Sequence, residues 1–343
     1  MTKTRLKEIL ACCRSRHIGV VGDLGLDAYW YADMTRSFLS RETPRFARPV
    51  VREVYAPGAG ANVADNLKAL GVGHVTVFSV FGDDWRGALL RQVMTDRGID
   101  ATRLVITPER FTTTYIKPML MGYDSQQEDA RVDFENAAPL TPDLEDALLV
   151  KVTQDLPDLD ALLVADQLEV NGIISPRVRA ALNAMALSHP EKVFLVDSRL
   201  RIGEYEAMVL KPNWVEAIAA VEPGRDPRSV PREALGDVAA KLSARTGRPV
   251  FVTLSEDGVL VYAEGQARHL PAGPTHPPLD PVGAGDTFIA ALAGALSAGA
   301  SPWEAGELAN LAASVTVEKL NQTGTATPEE ILARFELAES STD

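Results

Sequence analysis

Short, wholly apolar runs recur along the chain at Ile18 to Val21, Val75 to Phe81, Ala161 to Ala165, Val193 to Val196, Met208 to Leu210 and Val250 to Leu254. Runs of this length without polar alternation predict strands buried on both faces. Between most of them apolar residues recur at helical spacing, over Asn62 to Leu70, Arg86 to Arg97, Leu144 to Leu156, Pro176 to Leu187 and Arg232 to Arg245. Strand and helix in alternation predict an α/β fold, a doubly wound and mostly parallel sheet with helices on both faces. Ser301-Pro302-Trp303-Glu304 and Thr327-Pro328-Glu329-Glu330 each place a capping hydroxyl, a proline and a glutamate as a helix start requires. The N-terminus, with Arg5, Lys7 and Glu8 among apolar residues, predicts a short amphipathic helix, and Glu339 to Asp343 a frayed tail.

Two stretches break this rhythm. From Ala28 to Tyr55 the chain is polar and aromatic, with Val50, Val51 and Val54 in a half-exposed strand pattern. From Phe111 to Phe134, β-branched and aromatic residues precede a turn at Gly122-Tyr123-Asp124-Ser125 and the alternating Arg131-Val132-Asp133-Phe134. Both predict strands with one wet face, hence a small β-sheet outside the main layer. It is expected to act as a lid over the C-terminal strand ends, or as a dimerisation sheet, roles that are compatible. No linker or like-charge block divides the 343 residues, so the expectation is a single domain over 1–343 with a lid from about 28–56 and 111–135.

Composition narrows the function. A formal net charge of −13 argues against nucleic-acid or anionic-membrane partners, and no apolar run is long enough for a membrane span. Cys12 and Cys13 are adjacent and unsupported by other cysteines, so neither a zinc site nor a disulfide scaffold is expected, and a cytoplasmic setting fits. The five histidines lack metal-ligand spacing. Walker A and dinucleotide-binding glycine patterns are both absent, which disfavours a P-loop enzyme and an NAD-dependent oxidoreductase.

Candidate chemistry clusters at predicted strand ends and helix starts. Gly283-Ala284-Gly285-Asp286 opens an Ala- and Leu-rich helix, a turn suited to an anion, and Asp286 reads equally as a helix cap or as a base. Asp23 and Asp27 leave the first strand, where carboxylates suit sugar hydroxyls or shape a turn. The small-residue turn Pro57-Gly58-Ala59-Gly60 precedes Asn62, and Lys211-Pro212-Asn213-Trp214-Val215-Glu216 sets an amide and a carboxylate one turn apart, for Mg²⁺ or as a cap. Thr253 to Gly258 reads as a hairpin or as a nucleotide-contact loop.

In this order the motifs resemble the ribokinase-like, or PfkB-type, carbohydrate kinases over about residues 17–335, and within them bacterial D-glycero-β-D-manno-heptose 7-phosphate kinases. The finer likeness rests on Gly22 to Trp30, Gln126-Gln127, Arg131 to Glu135 and the Lys319 to Pro328 tail. The resemblance implies an ATP-dependent sugar kinase acting on a sugar or sugar phosphate, with heptose 7-phosphate one acceptor. Alternatives are a ribose, fructose or nucleoside kinase of the same type, or a non-catalytic sugar- or nucleotide-binding regulator.

It further implies Asp286 as general base, and an anion hole at Gly283, Ala284 and Gly285. Acceptor contacts would come from Asp23, Asp27, Gly58, Asn62, Lys117, Arg131 and Asp166, and ATP contacts from Asn213, Thr253, Ser255, Gly258 and Asn310. Mg²⁺ would lie at Asn213 and Glu216, and a monovalent cation such as K⁺ at Asp280. Arg36, Arg41, Lys117 and Arg131 are candidates to meet the γ-phosphate, and a homodimer through the lid is expected.

Three departures stand out. Gly58-Ala59 replaces a double glycine, the lysine of a Ser-Asp-Tyr-x-Lys-Gly run is absent from Ala165 to Gly172, and Asn321 to Thr323 are extra. The nucleotidyltransferase half fused in many relatives is not in this sequence, so the kinase step alone is expected.

Overall fold

In the computed structural model, which describes residues 1–320 and 323–340, the chain begins with α1 (Lys3–Cys13) and β1 (His17–Gly22). It runs out along β2 (Leu24–Asp33) to a hairpin of β3 (Phe38–Leu39) and β4 (Phe46–Ala47), and returns on β5 (Val50–Ala59) into α2 (Gly60–Ala69). Then come β6 (His74–Phe78), β7 (Val80–Gly82), α3 (Trp85–Asp96) and β8 (Val105–Thr107), before a second excursion on β9 (Thr114–Met121), β10 (Gln126–Glu128) and β11 (Val132–Phe134). There follow α4 (Pro142–Asp155), β12 (Ala161–Asp166), α5 (Pro176–Ser188), β13 (Val193–Ser198), β14 (Val209–Leu210), α6 (Trp214–Val221) and α7 (Leu235–Thr246). The chain closes with β15 (Val250–Thr253), β16 (Val259–Ala263), β17 (Gln266–Leu270), α8 (Ala284–Ser297), α9 (Pro302–Thr316) and α10 (Pro328–Ser340).

Each apolar run is a strand, the one at 75–81 divided into β6 and β7. Eight strands form the central sheet in the order β17-β16-β15-β14-β13-β12-β1-β6. Pairing is parallel from β6 across to β15 and antiparallel at β16 and β17. The two-residue period of a strand then sends Leu163 and Leu195 into one core, shared with α1, α2, α8 and α9. Leu162, Val164, Phe194 and Val196 go into the other, shared with α4 to α7. With both faces covered a polar residue has no wet side to turn to, and each fully buried side chain of this kind contributes about 1.5–3 kcal/mol.

Helix starts follow the sequence signals. Ser301 and Glu304 form a reciprocal capping box on α9, and Thr327 and Glu330 do the same on α10. The helix expected from Arg232 begins at Leu235, after a 3-10 turn over Arg232–Ala234. Glu339 and Ser340 continue α10 rather than fray, while Ser341 to Asp343 lie outside the described residues, as do Asn321 and Gln322 of the three extra positions.

The second sheet has the order β10-β9-β2-β5, with β11 also paired to β9. It reaches closer to the core than expected: β2 starts at Leu24 and β5 runs to Ala59. Leu24 and Leu26 are buried, so the root of this sheet looks like core strand in sequence. The consequence is functional, because Asp27 and Gly58 are residues of the lid sheet itself, Asp27 opposite Ala56 and Gly58 opposite Gly25 across β2 and β5. No helix among the described residues is long and apolar enough to cross a membrane.

Candidate active site

The first turn of α8 sets the floor of the site. Gly283 has φ +81°, a left-handed conformation that favours glycine, and leads the chain sharply into the helix. The amides of Gly285 and Asp286 have no hydrogen-bond partner among the described residues, as the start of a helix leaves them. Ala284 N–H is occupied, donating to Pro281 O over 3.2 Å, so of the expected Gly283, Ala284 and Gly285 the middle donor is taken, while Gly283 N–H, like those of Gly285 and Asp286, has no partner among the described residues. Two aligned N–H groups and the positive end of a helix favour an anion here.

Asp286 lies beside them. Asn62 Nδ2 donates to its Oδ2 over 2.8 Å and Gln167 Nε2 to its Oδ1 over 3.2 Å. Asn62 is in turn oriented by Asn66, whose Nδ2 donates to Asn62 O over 2.9 Å, and Asn66 Oδ1 accepts from the Thr287 hydroxyl over 2.6 Å. The bracket closes on α8 itself, one residue past Asp286. Burial pushes the Asp286 carboxyl up to about 6, the donor from Asn62 opposing that and the nearby charge of Asp197 adding to it.

Strand ends supply the opposite wall. Lys211, buried where β14 ends, donates from Nζ to Asp197 Oδ2 over 3.0 Å. Burial works against its charge, but Asp197 and Glu216 hold its pKa above the ordinary lysine value. Asn213 and Glu216 form a capping box: Asn213 N–H donates to Glu216 Oε2 over 2.8 Å, and Glu216 N–H to Asn213 Oδ1 over 2.9 Å. Burial, followed by repulsion from Asp197, raises the Glu216 carboxyl to about 7. Two carboxylates that repel each other at a cleft wall fit a divalent cation, which would relieve the repulsion. Among the described residues no group of three or more acidic, histidine or cysteine side chains stands ready as a metal cage, and Mg²⁺ commonly manages with fewer protein ligands.

The lid root forms the third side. Asp27 accepts from Lys117 Nζ over 2.9 Å, and the same ammonium donates to the Tyr29 hydroxyl over 3.2 Å. Arg131 lies over the Tyr115 ring and forms a two-pronged pair with Asp133, both bonds 2.7 Å. These walls enclose a cleft of about 320 Å³, bounded by Asp27, Ala59, Lys117, Arg131, Gln167, Asp197, Arg199, Lys211, Glu216 and Asp286 among others.

Not every expected residue reaches it. Asp23 is buried and accepts the backbone N–H groups of Gln167, Leu168 and Ile173, so it hangs the loop after β12 rather than meeting a ligand. Asp166 is buried too, held by Ser198 Oγ, Tyr205 Oη and Arg201 Nη1 at 2.6, 2.9 and 2.8 Å. Arg36 and Arg41 are exposed and outside the cleft lining.

The expected ATP residues gather beside Asn213. Thr253 bridges to Asn213 and its N–H donates to Pro212 O over 2.9 Å. The loop from Thr253 to Gly258 is a hairpin turn, with Ser255 in its tip. Gly258 has φ +90°, and a Cβ there would lie 2.3 Å from Leu270 O. Asn310 Nδ2 donates to Leu270 O and Pro271 O at 3.0 and 2.9 Å, holding the same segment from the other side. One carboxylate oxygen of Asp280 accepts the Val282 N–H over 3.0 Å.

Sequence reasoning did not single out Gln167, Asp197, Arg199 or Lys211 as members of the site. Asp197 and Arg199 flank the end of β13 and Lys211 directly precedes the Pro-Asn pair, so their signal was position at a strand end.

Comparison with known proteins bears on the family and the fold. A model described as pfkB family carbohydrate kinase matches residues 28–330. A bifunctional protein HldE from Trichlorobacter lovleyi is 33% identical over 94% of the chain, which spans 64% of that relative's length. Phosphofructokinase-2 from Escherichia coli in complex with potassium superposes with a TM-score of 0.73 at 18% identity, covering 95% of this chain and 99% of that one. Ribokinase from Cryptococcus neoformans in complex with ADP does so at 0.64 and 20% identity, covering 94% and 100%.

Proposed function

The chain belongs to the pfkB family of carbohydrate kinases, and from that premise we propose that the cleft transfers the γ-phosphoryl group of ATP directly to a sugar hydroxyl, with Asp286 as the general base that takes the hydroxyl proton. The observation that supports this most is the carboxylate of Asp286, held by Asn62 and Gln167 beside two helix amides that have no partner among the described residues. The acceptor hydroxyl gives its proton to Asp286 as its oxygen attacks the γ-phosphorus in line, and the bond to the bridging oxygen breaks to release ADP. The amides of Gly285 and Asp286 receive the negative charge of the transferring group, with Lys211 and Arg199 lining the same cleft. Mg²⁺, when bound, would be held by Glu216 and Asp197 and would neutralise phosphate charge there. Asn213, Thr253, Ser255, Gly258 and Asn310 remain the proposed nucleotide contacts, and Asp280 the proposed contact for K⁺. Neighbours solved with ADP and with potassium support that reading.

For the acceptor we propose heptose 7-phosphate, on the strength of the HldE relative and the Gly22 to Trp30 run. Arg131 and Lys117 supply lid-side cations where the family's lysine is absent. The lid would also join two copies into a homodimer. An ADP-release screen over free and phosphorylated sugars tests the acceptor directly. Preference for an unphosphorylated sugar would favour a different pfkB-type kinase, and silence with every sugar despite ATP binding would favour a non-catalytic regulator.

A further inference from the structure

Ala59 has φ +51° and ψ −136°, a backbone region that glycine alone occupies without strain. Its neighbours are glycines for a different reason, which is space. A Cβ on Gly58 would lie 2.9 Å from Asp27 Oδ1, and one on Gly60 would lie 2.8 Å from both Ala165 Cβ and Asp23 O. The turn from β5 into α2 therefore has glycine at the two positions with no room for a side chain. At the position between them, where the backbone angle itself calls for glycine, it carries a methyl group. Ala59 lines the cleft together with Asp27 and Asp286. It sits on the turn that delivers Asn62, the donor to Asp286.

A side chain kept against its own backbone preference points to work done by the side chain. We propose that the Ala59 methyl is a specificity determinant of the acceptor site, admitting a sugar that presents a C–H to it and rejecting the epimer that presents a hydroxyl. This rests on the kinase reading above. A methyl group neither donates nor accepts a hydrogen bond, so a hydroxyl pressed against it loses water and gains no partner. The same contact keeps the accepted sugar from tilting away from Asp286, whose reach to the attacking hydroxyl depends on placement within a fraction of an ångström.

The test is Ala59→Gly, assayed by ADP release on a panel of aldoses and ketoses, free and phosphorylated, that includes epimers at each carbon. The glycine variant is expected to melt about 1 °C or more above the wild type as strain is relieved. Its selectivity for the best acceptor over that sugar's epimers is expected to fall by about tenfold or more, through gains on the epimers, with KM for ATP unchanged. An active wild type whose selectivity ratios are the same in the variant would overturn the proposal alone. A melting temperature that stays level or drops would remove its premise, since the backbone would then be unstrained. A wild type silent with every sugar would instead overturn the kinase reading on which the proposal stands.

Discussion

Asn62 Nδ2 donates to Asp286 Oδ2 over 2.8 Å, joining the first turn of α2 to the first turn of α8 across 224 positions of sequence. This contact bears on what the sequence leaves even, whether Asp286 is a helix cap or, as proposed, a reactive group. Three other acids at the same helical position do cap: Glu216, Glu304 and Glu330 each accept the backbone N–H of their own N-cap residue. Asp286 does not. Its oxygens turn away from its own helix to Asn62 and Gln167, and the N–H of its own N-cap residue, Gly283, has no partner among the described residues. A carboxylate withheld from its local partner and held by two other elements is poised for a proton.

Replacing Asp286 with Asn keeps the shape and removes the base. Turnover is expected to fall by about 10²- to 10⁴-fold while ATP affinity, measured by calorimetry, changes little. Turnover within a few-fold of wild type would sink the assignment of the base.

The pH profile follows from the same carboxyl. It is raised to about 6, so the ionised, active form is lost as pH falls through that value, and kcat/KM should drop about tenfold per unit below it. The Gln167 hydrogen bond favours the ionised form. Gln167→Leu is therefore expected to move the acid limb to higher pH, whereas a purely structural role for Gln167 would lower activity without moving the limb.

Much of this architecture was legible because burial on both faces of a sheet leaves a plain mark. Val164 and Leu195 have no polar alternative, and Ser301 with Glu304 spells out a capping box. Direction was the missing quantity. Asp23 and Asp27 both leave the first strand end, yet Asp23 turns inward to three backbone N–H groups while Asp27 meets Lys117 at the cleft. Residue type and order cannot separate them, because the difference lies in which loop packs over each. Lys211 was hidden for a related reason: alone it is one basic residue beside a proline, and it gains meaning only when β13 brings Asp197 alongside.

Acid sensitivity should also trace to the C-terminal helices. Glu318 is held at about 2 by its hydrogen bonds to Arg334, against an ordinary value of 4.5. The folded state therefore keeps this carboxylate ionised after the unfolded chain has protonated it. Its contribution to stability is complete above about pH 4.5 and is lost as pH falls toward 2. Glu318→Gln should lower the melting temperature at pH 7 and converge on wild type near about pH 2. A constant difference at both ends would show that the pair acts by packing alone.

The lid carries the last prediction. β5 is an edge strand of its sheet, with Val50, Val51 and Val54 exposed by 44, 46 and 37%, and the adjoining hairpin exposes Phe38, Leu39 and Phe46 by 58, 57 and 70%. An edge with unpaired backbone groups and large apolar side chains in water is unfavourable for a monomer and suited to a second copy of itself. Sedimentation should find a dimer that Phe46→Asp with Val51→Lys converts to monomer; a wild type monomeric at high micromolar concentration would end the idea. Because Asp27 and Lys117 belong to the same sheet, loosening the lid should raise KM for the sugar more than KM for ATP. An equal rise in both would mean that the dimer supports the whole fold rather than the acceptor side.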